Sequence, residues 1–153
     1  MIVFRSKFFL ITLVILLLLL SVNALIGGAL LIIRPDGSLL GFPKDYLSNT
    51  PFADYTIPGI LLFSCVGVVS AIALIGMLRV HDIPWLEKLN LYKSMYWGWT
   101  FSFYAAIITL IWIGSQILMT DYFWLQSAIL GIGVLMMVIL LMPSVVAEHE
   151  KME

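Results

Sequence analysis

Four long stretches of this chain contain no Lys, Arg, Asp or Glu: Phe8–Ile33, Pro58–Leu78, Ser94–Thr120 and Tyr122–Ala147. That absence constrains the fold more than any motif does. A bilayer core about 30 Å thick is crossed by about 20 apolar residues in a helix, and each stretch is long enough. The composition points the same way. The 153 residues are 62% hydrophobic and 11% charged, whereas soluble domains are about a quarter charged. Such a chain cannot cover itself with polar surface, so lipid is its expected solvent. Barrel strands would alternate in polarity and these runs do not, which leaves helices as the spanning form.

The expected fold class is therefore all-α: a polytopic four-transmembrane-helix bundle forming one membrane domain over residues 1–153. The outer loop is 34–57, the inner loop 79–93, and the tail 148–153 is polar and expected to fray. The first stretch would be roughly 39 Å long at 1.5 Å per residue, so tilt or protrusion is expected. It also starts like a signal peptide, with Arg5 and Lys7 before Phe8–Leu20 and Val22-Asn23-Ala24 as a cleavage-like site. The apolar run to Ile33 is too long for a typical signal core, so an uncleaved helix is expected.

Pro58 fits the first turn of its helix, where a missing N–H costs nothing. Pro143 is expected to kink or end the fourth helix. Small residues recur four apart at Ala24/Gly28, Gly67/Ala71 and Ser127/Gly131. Such pairs let helices approach within one chain, or between copies or partner proteins.

Lys and Arg favour cytoplasmic flanks. With the N-terminus inside, Arg5, Lys7, Arg79, Lys88, Lys93 and Lys151 lie inside, and Arg34 and Lys44 outside. Both ends are then cytoplasmic. Aromatic residues are read as interface anchors: Trp85, Tyr92, Tyr96, Trp97 and Trp99 on the inner side, Tyr55, Tyr122, Phe123 and Trp124 on the outer.

The outer loop has its own grammar. Arg34-Pro35-Asp36-Gly37 reads as a tight turn, Pro43–Leu47 as one helical turn, and Thr50-Pro51-Phe52 as a redirection. Leu39, Leu40, Phe42, Leu47 and Phe52 are too apolar for a free loop, so the segment is expected to cap the outer end. In the inner loop, Ile83-Pro84-Trp85-Leu86 is expected at the interface.

Polar groups in lipid cost several kcal/mol when unsatisfied, so their placement carries information. Asn23, Ser64, Trp112, Ser115, Gln116, Gln126 and Ser127 all fall in the outer halves of their helices. Ser102, Ala105, Thr109, Trp112 and Gln116 share one face of the third helix by their spacing, and that face should look inward. These groups either tie helices together or line an outward-facing pocket. In the second case Asn23, Trp112, Gln116 and Gln126, with Arg34 and Asp54 at the mouth, form the candidate ligand site.

No carboxylate, lysine or arginine lies within a span, which argues against proton- or ion-coupled transport. His81 and His149 lie in cytoplasmic segments and lack haem or metal spacing, so no metal or cofactor is expected. They read as solvated loop residues. The lone Cys65 forms no redox pair. The net charge of −1 gives no sign of a nucleic-acid partner. Phe52-Ala53-Asp54-Tyr55-Thr56-Ile57 superficially resembles the second aspartate motif of lipoprotein signal peptidases. The first motif of that family is missing, and Asp54 precedes the helix. Asp54 with Asp121 or Arg34 nonetheless stands as the alternative, hydrolase-like site. The competing role for Asp54 is to cap the second helix.

Pro35-Asp36-Gly37 through Leu40-Gly41, Thr50-Pro51-Phe52-Ala53-Asp54-Tyr55-Thr56-Ile57-Pro58-Gly59, Trp112-Ile113 with Gln116, and Leu125-Gln126 before Gly131 together resemble a group of small four-helix bacterial membrane proteins. The Thr-Pro-Phe-x-Asp-Tyr-x-Ile-Pro-Gly string is the most specific part. The resemblance spans most of the chain and implies a bacterial inner-membrane location with the same topology. It carries no activity. The leading expectation is a non-enzymatic protein, either an accessory subunit of a membrane complex or a binder of a lipid or small apolar ligand in its outer half.

Overall fold

The computed structural model describes residues 2–78 and 83–151, and among these the regular structure is helical. Helix α1 runs Ile2–Ile33. Two 3-10 turns follow, Ser38–Leu40 and Lys44–Leu47. The second apolar stretch is one continuous run: α2 (Thr56–Leu61), a π-helical segment (Leu62–Val68) and α3 (Val69–Leu78). Then come α4 (Pro84–Leu89), α5 (Trp97–Met119), α6 (Trp124–Leu140) and α7 (Pro143–His149). Three helices, over Lys7–Ile33, Thr56–Leu78 and Trp97–Met119, are long and apolar enough to cross a membrane. The count reaches four if α6 and α7, which meet at a 69° bend, form one span.

The fourth stretch is thus not one straight helix from Tyr122 to Ala147. The break falls at Leu141 and Met142, and Pro143 opens α7 in the first-turn position that suits it. Carbonyls at the end of α6 need other donors. The buried Trp99 indole N–H donates to Leu140 O at 3.1 Å.

Packing runs from α1 to the α2–α3 rod, from α3 to α5, from α5 to α6, and from α6 and α7 back to α1. Glycine sets the two closest crossings. A Cβ on Gly28 would lie 2.6 Å from the Phe63 backbone nitrogen, and one on Gly76 would lie 2.6 Å from Gly98 Cα. Gly67 sits against Leu25, where an added Cβ would lie 2.9 Å from Leu25 Cδ2. Of the three small-residue pairs, Ser127/Gly131 is different. Both residues are exposed, and a Cβ on Gly131 would meet nothing within 4 Å.

The densest core lies toward the tail end of the rods. Leu13, Leu17, Leu20, Ala105, Met136 and Leu140 are buried there together with Trp97 and Trp99. These two tryptophans are core residues and not interface anchors. Trp97 packs over Gly76, and Trp99 stacks on Phe103 at a centroid distance of 5.4 Å. Trp85, Tyr122 and Trp124 are exposed, as an anchor requires.

The tail is docked where fraying is expected. Met95 and Glu150 form an antiparallel bridge, Tyr96 N–H donates to His149 O at 2.8 Å, and Lys151 N–H donates to Ser94 O at 2.8 Å. Lys151 Nζ also pairs with Glu87 Oε2 at 2.8 Å. Asn90, fully buried, donates to Met95 O at 2.8 Å and accepts from Tyr92 N–H at 3.1 Å. Those pairings explain why α5 starts at Trp97 and not at Ser94. His149 is half-buried, its Nδ1 2.8 Å from Val145 O. Arg79 and His81 lie outside the described residues.

Candidate functional site

The 34–55 segment is built from local turns. Gly37 N–H donates to Arg34 O at 3.0 Å, closing the Arg34–Gly37 turn, and Ser38 N–H donates to Asp36 Oδ1 at 3.0 Å. Gly37 has φ +77°, a conformation that favours glycine. Pro43 precedes the 3-10 turn Lys44–Leu47. Thr50 Oγ1 accepts from Phe52 N–H at 3.3 Å.

Tyr55 joins these turns. Its N–H donates to Pro35 O at 2.9 Å and its hydroxyl to Pro43 O at 2.8 Å. Its ring lies directly beneath Gly37, where an added Cβ would stand 2.7 Å from Tyr55 Cε2. Burial pushes the Tyr55 phenol above its ordinary value, and the nearby Tyr46 adds to the effect.

Beneath this segment is a cavity of about 850 Å³. Leu40, Phe42, Tyr46, Leu47 and Phe52 of the loop form its roof. Asn23, Ile26 and Leu31 of α1 and Pro58, Leu62 and Val66 of the second rod form further walls. Trp112, Ser115, Gln116 and Met119 of α5 face Gln126, Ala128, Ile129 and Ile132 of α6. The π-helical segment begins at Leu62, on the wall itself; such bulges recur at functional sites. Among the described side chains, no Lys, Arg, Asp or Glu lines the space. Leu18, Leu19, Val22 and Ile26 of α1 line it and are each about half exposed, so that side is not closed by another element.

The structure brings four of the sequence-derived candidates to this cavity: Asn23, Trp112, Gln116 and Gln126. Arg34, Asp54 and Asp121 do not line it. Gln126 is engaged in the fold. Its Oε1 accepts from Phe123 N–H at 3.1 Å and its Nε2 donates to Thr120 Oγ1 at 2.9 Å, and Thr120 in turn donates to Gln116 O at 2.9 Å. The inward face of α5 is present. Ser102, Ala105 and Thr109 are fully buried, and both hydroxyls return to carbonyls one turn back, Gly98 O and Ala105 O, at 2.7 Å. By contrast, the side chains of Asn23, Trp112 and Gln116 make no hydrogen bond among the described residues.

Asp54 is exposed and accepts from Thr56 N–H at 2.8 Å at the start of α2. That bond and the Thr56 hydroxyl hold its carboxyl below the ordinary carboxylate range. A catalytic acid needs the opposite shift and a sheltered position. Asp121 is exposed as well. Among the described residues no group of three His, Cys, Asp or Glu side chains could hold a metal ion.

Sequence reasoning missed the roof's dependence on Tyr55, which it read as an interface anchor. It also missed Asn90 and the tail pairing. The signal for Tyr55 was its place between the Asp54 turn and Pro58. Comparison with protein-family models, with curated proteins and with solved structures finds no match to this chain.

Proposed function

We propose that this chain is a non-enzymatic bacterial cytoplasmic-membrane protein that binds a lipid or small apolar ligand in its outer half. In this reading it crosses the bilayer four times as a helix bundle, with both ends cytoplasmic and the 34–55 segment as an extracytoplasmic cap. The Lys and Arg bias toward the tail-end segments supports that orientation. The observation that carries the ligand reading is the cavity of about 850 Å³. Its size falls within the range of about 300–1,000 Å³ usual for ligand sites. Its walls are apolar, with a few polar groups that lack protein partners. Asp54, Arg34 and Asp121 stand outside it, which weighs against the hydrolase-like alternative.

Native mass spectrometry of the protein released from mild detergent tests the reading. One co-purified lipid per chain is expected, and it is expected to be lost in Ala128→Trp, which places a large ring on the cavity wall. Equal adducts on both proteins would exclude the cavity as the binding place.

A second reading, an accessory subunit of a membrane complex, is favoured by Ser127 and Gly131. Their exposed face is open to a partner helix. Co-purified proteins in the same preparation, lost in Gly131→Leu, are its expected sign.

A further inference from the structure

The chemistry of the cavity wall narrows the ligand class. Resting on the ligand-cavity reading above, we infer that the occupant is an uncharged, single-chain amphiphile with a hydroxyl- or ester-bearing head.

Charge is the first selector. Among the described side chains, no Lys, Arg, Asp or Glu lines the cavity. A phosphate or carboxylate drawn in would lose its hydration without a counter-charge, at a large cost. Charged phospholipid heads are thereby excluded from the interior.

Hydrogen bonding is the second selector. Exposed Asn23 of α1 and half-buried Trp112 and Gln116 of α5 line one space, and their side chains have no hydrogen-bond partner among the described residues. Trp112 and Gln116 are one helical turn apart on the same face. Together they offer an indole N–H, two amide NH₂ groups and two amide oxygens. A pure hydrocarbon would fill the walls and leave all of these unmatched. A hydroxyl or ester carbonyl would match them, and polar groups left unpaired away from water discriminate strongly against a ligand that cannot bond them.

Size is the third selector. Taking about 30 Å³ per heavy atom, the share of a water in its liquid, 850 Å³ holds about 28 heavy atoms. A monoacylglycerol with an 18-carbon chain has about 25, and a diacylglycerol about 44, on the same count. One chain with a small head therefore fits, and two chains do not. The half-exposed Leu18, Leu19, Val22 and Ile26 leave one side of the site uncovered, and the chain enters from the lipid there.

The test uses the full-length protein in non-ionic micelles, with bound ligand counted by native mass spectrometry. The probes are monooleoylglycerol, oleoyl lysophosphatidylglycerol and 1-octadecene, applied to wild type, to Asn23→Leu/Gln116→Leu and to Ala128→Trp. Monooleoylglycerol is expected to bind wild type at least about tenfold more tightly than either other probe, a ratio worth about 1.4 kcal/mol. The double leucine variant is expected to lose that preference over 1-octadecene while retaining the hydrocarbon. Lysophosphatidylglycerol or octadecene binding wild type as well as monooleoylglycerol does, with both displaced by Ala128→Trp, would overturn the ligand class and leave the cavity reading standing. No probe bound by wild type, or binding unaffected by Ala128→Trp, would overturn both. The wild-type comparison of probes decides the class even where the double variant fails to fold.

Discussion

Tyr55 ties the Arg34–Gly37 turn to Pro43 through its backbone N–H, ring and hydroxyl, and its chemistry makes the roof of the cavity sensitive to alkali. The phenol is buried, donates to Pro43 O at 2.8 Å, and lies under Gly37. Burial raises its ionisation above the ordinary value. The neutral form is thus favoured in the folded state. Its stabilising contribution is complete below the unfolded value of about pH 10 and is lost as pH rises through the higher folded value. Tyr55→Phe keeps the ring beneath Gly37 but removes the hydrogen bond, at a cost of about 1 kcal/mol. Thermal melts in detergent between about pH 9 and about pH 11 are expected to converge for the two proteins, because wild type loses what the variant already lacks. Curves that stay parallel across that window would show that Tyr55 does not titrate in the folded protein. A similar contrast separates the polar candidates. In sequence Gln126 and Asn23 both stand as groups that either tie helices together or line a pocket, because type and depth are all that sequence offers. Gln126 turned out to complete the start of α6, through Phe123 N–H, and the link to Thr120. No spacing rule distinguishes a capping amide from an unpartnered one.

At the scale of elements, glycine positions decide which faces pack. Gly76 and Gly98 bring α3 and α5 into backbone contact, and a Cβ on either would lie under 3 Å from the other's backbone. Gly131 of α6 has open space where a Cβ would stand. Gly98→Ala is expected to cost about 1–3 kcal/mol by forcing the rods apart. Gly131→Ala is expected to be neutral or to stabilise by up to about 1 kcal/mol through helix propensity. Denaturation in mixed micelles measures both, and equal losses would show that the α3–α5 crossing is not held by glycine. In the sequence Gly131 stands out as half of a small-residue pair, whereas Gly76 and Gly98 do not. Which of them meets a neighbour depends on rotation of each helix about its axis, and that is set by partners far along the chain. Apolar runs were legible for a simpler reason, since length and lack of charge are local properties. The bend between α6 and α7 was only half legible. Pro143 marks it locally, but Trp99 and the paired tail, on other elements, hold it.

The whole molecule adds an argument about topology that no single helix supplies. Asp121 follows the end of α5, and Glu150 pairs with Met95 beside the start of α5. Between those residues the chain must return along the whole of α5. That helix has 23 residues, about 35 Å at 1.5 Å per residue. The 17 residues of α6 supply about 26 Å of the return, and the Leu141–Met142 link with the inclined α7 completes it. If α5 crosses a bilayer, α6 and α7 together cross it too, whatever the bend. At the other end of the chain, Leu10 and Val14 of α1 share a small pocket with Met77, Leu78 and His149. The first third of α1 therefore lies beside the end of α3 and the tail. Leu10 and Val14, the end of α3 and the Met95–Glu150 pairing thus lie at one end of the packed helices, and residues 34–55 lie at the other. Cysteine labelling in a Cys65→Ser background tests this in intact cells. Ser38→Cys is expected to react with a membrane-impermeant maleimide added outside. Lys151→Cys is expected to react only after permeabilisation, because the tail-end segments carry the excess of Lys and Arg. Labelling of both positions from outside would require an even number of crossings between them and would rule out the return of the chain along α5. Labelling of Lys151→Cys alone would invert the orientation, turn the cavity toward the cytoplasm and keep the four-crossing geometry.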